Sequence, residues 1–112
     1  MASTIRGDDN FDSKQVVGQN QTWTDLTGQR TVNQQYINTT GRPIQIIASI
    51  YVQNSTADVN LFVDGLAIGR FVYSGSAISA GILTAIVPDG SNYSVDLSAG
   101  TAANLTKWTE LR

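Results

Sequence analysis

At 112 residues the chain is long enough for one domain around a single core and too short for two. It contains no cysteine and no histidine, which excludes disulfides, thiolate metal sites, cysteine nucleophiles and the usual general base. Charged residues are 14% of the chain, against about 25% in an average domain, the net charge is −2, and the basic residues stand singly, so no stripe for a phosphate backbone exists and no nucleic-acid partner is expected.

Residues 1–21 are polar, carry the acidic cluster GDDNFD and show no sustained periodicity, so they read as an extended N-terminal arm. Asp8, Asn10 and Asp12 have the spacing that opens a calcium loop, but Ser13 stands where that loop needs glycine and Gln19 where it needs glutamate. Arg6-Gly7-Asp8 is a chance tripeptide. No metal and no cofactor are expected. The first residues lack an apolar signal core and no apolar run reaches membrane-helix length, so no membrane insertion is expected and the mature chain is expected to start at Met1. The sequons at Asn20, Asn38, Asn54, Asn92 and Asn104 follow from a composition in which Asn, Gln, Ser and Thr make up about a third of the chain.

The folded body, residues 22–112, starts near Trp23 and proceeds as short β-rich runs divided by turn chemistry. TVNQQYIN alternates weakly through Val32 and Tyr36. In NTTGRP, Gly41 supplies a positive φ and Pro43 sets the entry to a strand. IQIIASIYV then places Ile44, Ile46, Ala48, Ile50 and Val52 on one buried face, while the other face is mixed and suits a partner surface. VNLFV and LAIGRFVY flank Asp64-Gly65, a type I′ hairpin signal. Pairing Val63 with Leu66 sets Leu61 opposite Ile68 and Val59 opposite Arg70, with Val59, Leu61 and Val63 toward the core.

A Gly/Ser stretch leads into ILTAIV at 82–87, Pro88-Asp89-Gly90 turns the chain, and NYSVDL aligns Tyr93, Val95 and Leu97. In the closing NLTKWTELR, Leu105 and Leu111 are out of phase with Trp108, which requires either a bulge or a tryptophan facing another layer. No segment carries a helical stripe over three turns, so the fold class is all-β.

The ordered set TIRGDDNFDS, QTWTDLT, YINTTGRPIQI, VPDGSNYSV and WTELR resembles small tail-fibre-associated, receptor-binding-like β-sandwich domains of tailed bacteriophages, from Thr4 to Arg112. The resemblance implies an antiparallel, jelly-roll-like β-sandwich presented as a homotrimer on the virion. It would lie at a tail fibre or other surface appendage, attached to other virion proteins by the arm, with loops that contact host-surface glycans. The alternative is a capsid decoration or collar protein with a purely structural role.

Catalysis is not expected. Asp64 and Asp89 occupy turns, Asp25, Asp58 and Asp96 stand apart, and Glu110 is the single glutamate, so no acid–base pair is evident. Aromatic platforms with amides nearby make Tyr51, Asn54, Asn60 and Tyr73 the candidates for glycan contact. Charge depletion suits buried interfaces between copies. The terminal run is the expected assembly strand, with Trp108, Glu110, Leu111 and Arg112 at the interface, Leu111 covering the core and Glu110 paired with Arg112 or with a neighbouring chain.

Overall fold

A computed structural model describes residues 16–53, 56–98 and 103–112. Among these, eight strands form: β1 (Trp23–Asp25), β2 (Tyr36–Ile37), β3 (Ile44–Gln53), β4 (Ala57–Val63), β5 (Leu66–Tyr73), β6 (Ile78–Val87), β7 (Asn92–Leu97) and β8 (Asn104–Leu111). They make two four-stranded antiparallel sheets, ordered β1-β8-β3-β6 and β2-β7-β4-β5. The described residues include no α-helix, only a 3-10 turn at Thr27–Gln29. The all-β class is therefore the one the alternation implies.

The period of two explains why the sheets meet. Ile44, Ile46, Ala48 and Ile50 of β3 point inward and are buried, and so are Val59, Leu61 and Val63 of β4 from the opposite sheet. Burying each large aliphatic contributes about 1.5–3 kcal/mol, so the two inner faces together supply most of the drive to fold. Tyr93 and Val95 from β7 and Trp108 from β8 complete the same core.

The β4–β5 hairpin turns at Asp64 (φ 51°) and Gly65 (φ 80°), both left-handed as a type I′ turn requires. Val63 pairs with Leu66, but a bulge at Ile68 then sets Leu61 opposite Gly69 and Val59 opposite Phe71, which corrects the register read from uninterrupted pairing. Uninterrupted pairing would carry Arg70 into the core, whereas the bulge carries in Phe71 and leaves Arg70 outside, hydrogen-bonded to Asp58. On the adjoining edge of the other sheet Gly81 makes room for Phe71. A Cβ at Gly81 would lie 2.3 Å from that ring. The edges of β5 and β6 thus close against each other on one side of the molecule.

A second bulge answers the phase conflict in NLTKWTELR. Ser49 pairs with Lys107 and Ile50 with Leu105, so Thr106 is the extra residue, and its hydroxyl donates to the Ser49 carbonyl (3.2 Å). Leu105, Trp108 and Glu110 therefore all face inward, and Leu111 faces outward beside Trp23 of β1. This reverses the expectation that Leu111 covers the core.

Residues 16–21 are not extended. They form a turn in which Arg42 donates to the carbonyls of Val16 and Gln19, while Gln21 accepts from Gly18 N–H and donates to the Pro43 carbonyl. The remainder of the arm, with the Asp8-Asn10-Asp12 and Arg6-Gly7-Asp8 motifs, lies outside the described residues. Asn38 is fully buried, donating to the carbonyls of Arg42, Val87 and Pro88 and accepting from Thr40, so the sequon it begins is closed to modification.

Candidate functional site

Three features of the fold carry distinctive chemistry: a buried carboxylate, a polar cleft and an exposed apolar side. The carboxylate is Glu110, fully buried despite its charge. Its Oε2 accepts from Tyr93 Oη (2.9 Å), Trp108 Nε1 (2.9 Å) and Arg30 Nε (3.1 Å), and its Oε1 lies 3.5 Å from an Arg30 amino group and 3.4 Å from Arg112 Nε. The Arg30 guanidinium also sits 4.6 Å above the Tyr36 ring. Tyr36, Tyr93 and Trp108 pack together with centroids 6.0–6.4 Å apart.

Burial, reinforced by the Glu110 charge, pushes the Tyr93 hydroxyl up to about 12. Burial works against the Arg30 charge, but the Glu110 carboxylate outweighs it and raises the Arg30 pKa. Both carboxylate oxygens are thus occupied by donors or cations, as a buried charge requires. The cluster ties the 26–36 segment, β7 and β8 together, and it offers no free position to a reactant.

The polar cleft lies on the outer face of β2-β7-β4. It measures about 480 Å³ and is lined by Phe62 and Asp64 of the β4 strand and its turn, Gly65, Asn92, Ser94 and Asp96 of β7, and Asn33 and Gln35 of the preceding loop. Ser94 pairs with Phe62 and Asp96 with Asn60, so these side chains stand in rows on one face. The backbone around the cleft is pinned. Asn33, held at φ 61°, donates its N–H to the Val95 carbonyl (2.8 Å), and its Oδ1 accepts from Leu97 N–H (2.8 Å). Asp64 accepts from the Ser91 hydroxyl (2.6 Å) and the Asn92 N–H (3.0 Å). The side chains of Gln35, Asn92 and Asp96 make no hydrogen bond to the protein among the described residues, and so remain available to a ligand.

The exposed apolar side chains gather on the adjoining edge strands β5 and β6, Val72 sharing the outer face of its sheet with Asp58 and Ile78, Ile82 and Ile86 sharing the outer face of the other sheet with Gln53, Ser49 and Gln45. Of the large hydrophobic side chains left exposed among the described residues, Leu66, Ile68 and Val72 belong to β5 and Ile78, Ile82 and Ile86 to β6, with Ile82 68% exposed. The other two, Trp23 and Ile37, lie on β1 and β2, the opposite edges of the same two sheets.

The residues expected to contact glycan do not converge. Tyr51 stands on the outer face of β3, hydrogen-bonded to Gln53, whereas Asn60 stands on the outer face of β4 in the other sheet. The Tyr73 hydroxyl both donates to and accepts from the Ala77 backbone, bracing the 74–77 loop, and Asn54 lies outside the described residues. None of the four lines the cleft; Asn60 stands opposite its residue Asp96 in the β4–β7 pairing. Of the four residues expected at an assembly interface, Trp108 and Glu110 are buried within their own chain and have no surface to offer a neighbour, which corrects that assignment; Leu111 and Arg112 retain partial exposure. The expected Glu110–Arg112 pair is present within the chain.

Sequence reasoning missed Phe62, Gln35, Asn92 and Ser94 as site residues. The available signal was Phe62 itself, an aromatic on the outward phase of a strand whose inward phase is Val59, Leu61 and Val63. Among the described residues no three acidic side chains gather as a metal would need. No protein-family model, curated protein or solved structure matches the chain.

Proposed function

We propose that the chain is a non-enzymatic structural component of a tailed-phage virion, a jelly-roll module that assembles as a homotrimer at a tail fibre or similar surface appendage. The strand orders β1-β8-β3-β6 and β2-β7-β4-β5 support the jelly-roll reading, because two interleaved Greek keys produce that arrangement, and viral coat and lectin domains use it. The phage setting is supported by the sequence resemblance described above.

The observation that carries the assembly reading is the division of exposed apolar side chains between two opposite sides of the molecule. Six of them stand on the adjoining edge strands β5 and β6, and two, Trp23 and Ile37, on the edge strands β1 and β2 at the far side of the same sheets. Exposed apolar surface gathered at an edge marks an interaction site, and two different sides that fit each other make a head-to-tail contact, which gives a ring where the rotation closes. In such a ring the β5–β6 side of one chain covers the β1–β2 side of the next, where Leu111 and Arg112 flank Trp23. The number three follows the resemblance.

The location is tested by gold-labelled antibody against the chain on intact virions. Label at a tail appendage is expected. Absence of the chain from purified particles contradicts the proposal, and label over the capsid shell replaces the appendage with a decoration role.

A further inference from the structure

We infer that the cleft around Phe62 holds an alkylammonium ligand, the chemistry shared by free polyamines and by lysine side chains. This goes beyond the assembly reading, since β4, β7 and the 33–35 loop of a single chain build the cleft and no neighbour is needed.

Charge pairing picks out the site. Among the described residues Asp25 is ion-paired with Lys107, Asp58 with Arg70, and Glu110 with Arg30 and Arg112. Asp64, Asp89 and Asp96 have no such partner there, and two of those three line this cleft. No lysine or arginine lines it, and Arg70 on the same outer face is engaged by both oxygens of Asp58. Asp64 accepts from the Ser91 hydroxyl on one oxygen and the Asn92 N–H on the other, and each oxygen has a lone pair left for a further donor. The cleft therefore presents two negative charges that a cation would neutralise and an anion would oppose.

The floor of the cleft is an independent sign of a ligand. Ser94 is only 8% exposed, stands on the outer face of β7 opposite Phe62, and makes no side-chain hydrogen bond to the described residues. A buried hydroxyl left without a partner costs free energy that a donor-bearing ligand recovers. A primary ammonium carries three N–H donors, and acceptors for them line the cleft in Asp96, Ser94 and Gln35. The half-buried ring of Phe62 suits both the charge and the alkyl chain behind it. Asp64 is bonded to the N–H of Asn92, four residues before Asp96 on β7, so the two carboxylates stand about 13 Å apart along the strand, with Phe62 beside the midpoint. An aliphatic chain with an ammonium at each end can cross Phe62 and reach both.

The test is amide chemical-shift titration of the nitrogen-labelled full chain, at fixed ionic strength, with spermidine and with a blocked tripeptide of lysine, alanine and lysine. Octanediol serves as the uncharged chain and magnesium ion as the compact dication. At least one amine is expected to move the amides of Phe62, Gly65, Asn92, Ser94 and Asp96, and the tighter of the two names the source, a free polyamine or a protein lysine. Asp96→Asn and Phe62→Ala are each expected to weaken that binding at least about fivefold, the equivalent of about 1 kcal/mol, while Phe62→Tyr retains it. Asp64→Asn is expected to weaken it likewise, and preserves the turn because Asn-Gly also suits type I′. A dispersed spectrum and an unchanged oligomeric mass separate loss of the site from loss of fold or assembly. No response to either amine, a response matched by octanediol or magnesium at the same concentration, or one indifferent to Phe62→Ala or to either asparagine substitution would overturn the inference.

Discussion

Replacing Glu110 with glutamine removes one charge and almost no volume, and so isolates what the buried carboxylate does. The glutamine oxygen can still accept from Tyr93 and Trp108, but its amide group then faces the guanidinium groups of Arg30 and Arg112 in place of Oε1. Breaking a fully buried ion pair by removing one partner costs about 3–5 kcal/mol. Here the two arginine side chains keep 15% and 27% of their surface in water, which compensates part of the loss. We expect Glu110→Gln to cost about 2–3 kcal/mol, read as a lowered urea midpoint at unchanged slope and a fall in Tm of roughly 10–20 °C at fixed protein concentration. Adding Arg30→Met should restore part of the loss, giving a favourable coupling in the double-mutant cycle. A Glu110→Gln variant within about 0.5 kcal/mol of the parent, the range of an ordinary surface change, would refute the argument that this carboxylate holds the two sheets together.

Gly81→Ala drives a methyl into the Phe71 ring and should cost about 1–3 kcal/mol by urea denaturation, with relief in the Gly81→Ala, Phe71→Leu double variant. Asp25, whose carboxylate is held down to about 2 from 3.8 by hydrogen bonds from Thr27 and by Lys107, contributes stability that is complete above pH 3.8 and lost as the pH falls toward 2; Asp25→Asn should flatten that part of the stability profile. Tyr93 behaves in the opposite sense. Its hydroxyl is raised from 10.0 to about 12, so its contribution is complete below pH 10 and lost as the pH climbs to 12, and Tyr93→Phe should be less stable at neutral pH yet lose less on alkaline titration.

Much of the fold was legible because alternation and turn chemistry are local. The β3 run, the Asp64-Gly65 turn and the in-phase Tyr93, Val95 and Leu97 all stand as the residue pattern implies. Phase counting failed at Ile68, where one extra residue enters the strand, and in the terminal run it raised the conflict that the bulge at Thr106 resolves without telling which side Leu111 takes, since a bulge is set by what the partner strand and the opposite sheet can accept. Glu110 was misread because a charged residue near a terminus ordinarily faces water, and its main partner, Arg30, is 80 residues away in sequence. The 78–87 run hid its outward apolar row for a related reason. Leu83, Ala85 and Val87 serve the core, and the interleaved Ile78, Ile82 and Ile86, equally apolar, face out. Composition does not separate the two sets; the register against β3 does.

The claim that copies of the chain cover each other's apolar sides is tested most directly by light scattering of the purified protein across a dilution series, beside an Ile82→Lys variant. Ile82 points to solvent in the single chain, so the substitution leaves its core intact. The parent is expected at three times the 12.0 kDa mass of the chain and the variant as a folded single chain. A parent that remains a single chain at every concentration, or a variant that assembles as well as the parent, would contradict it.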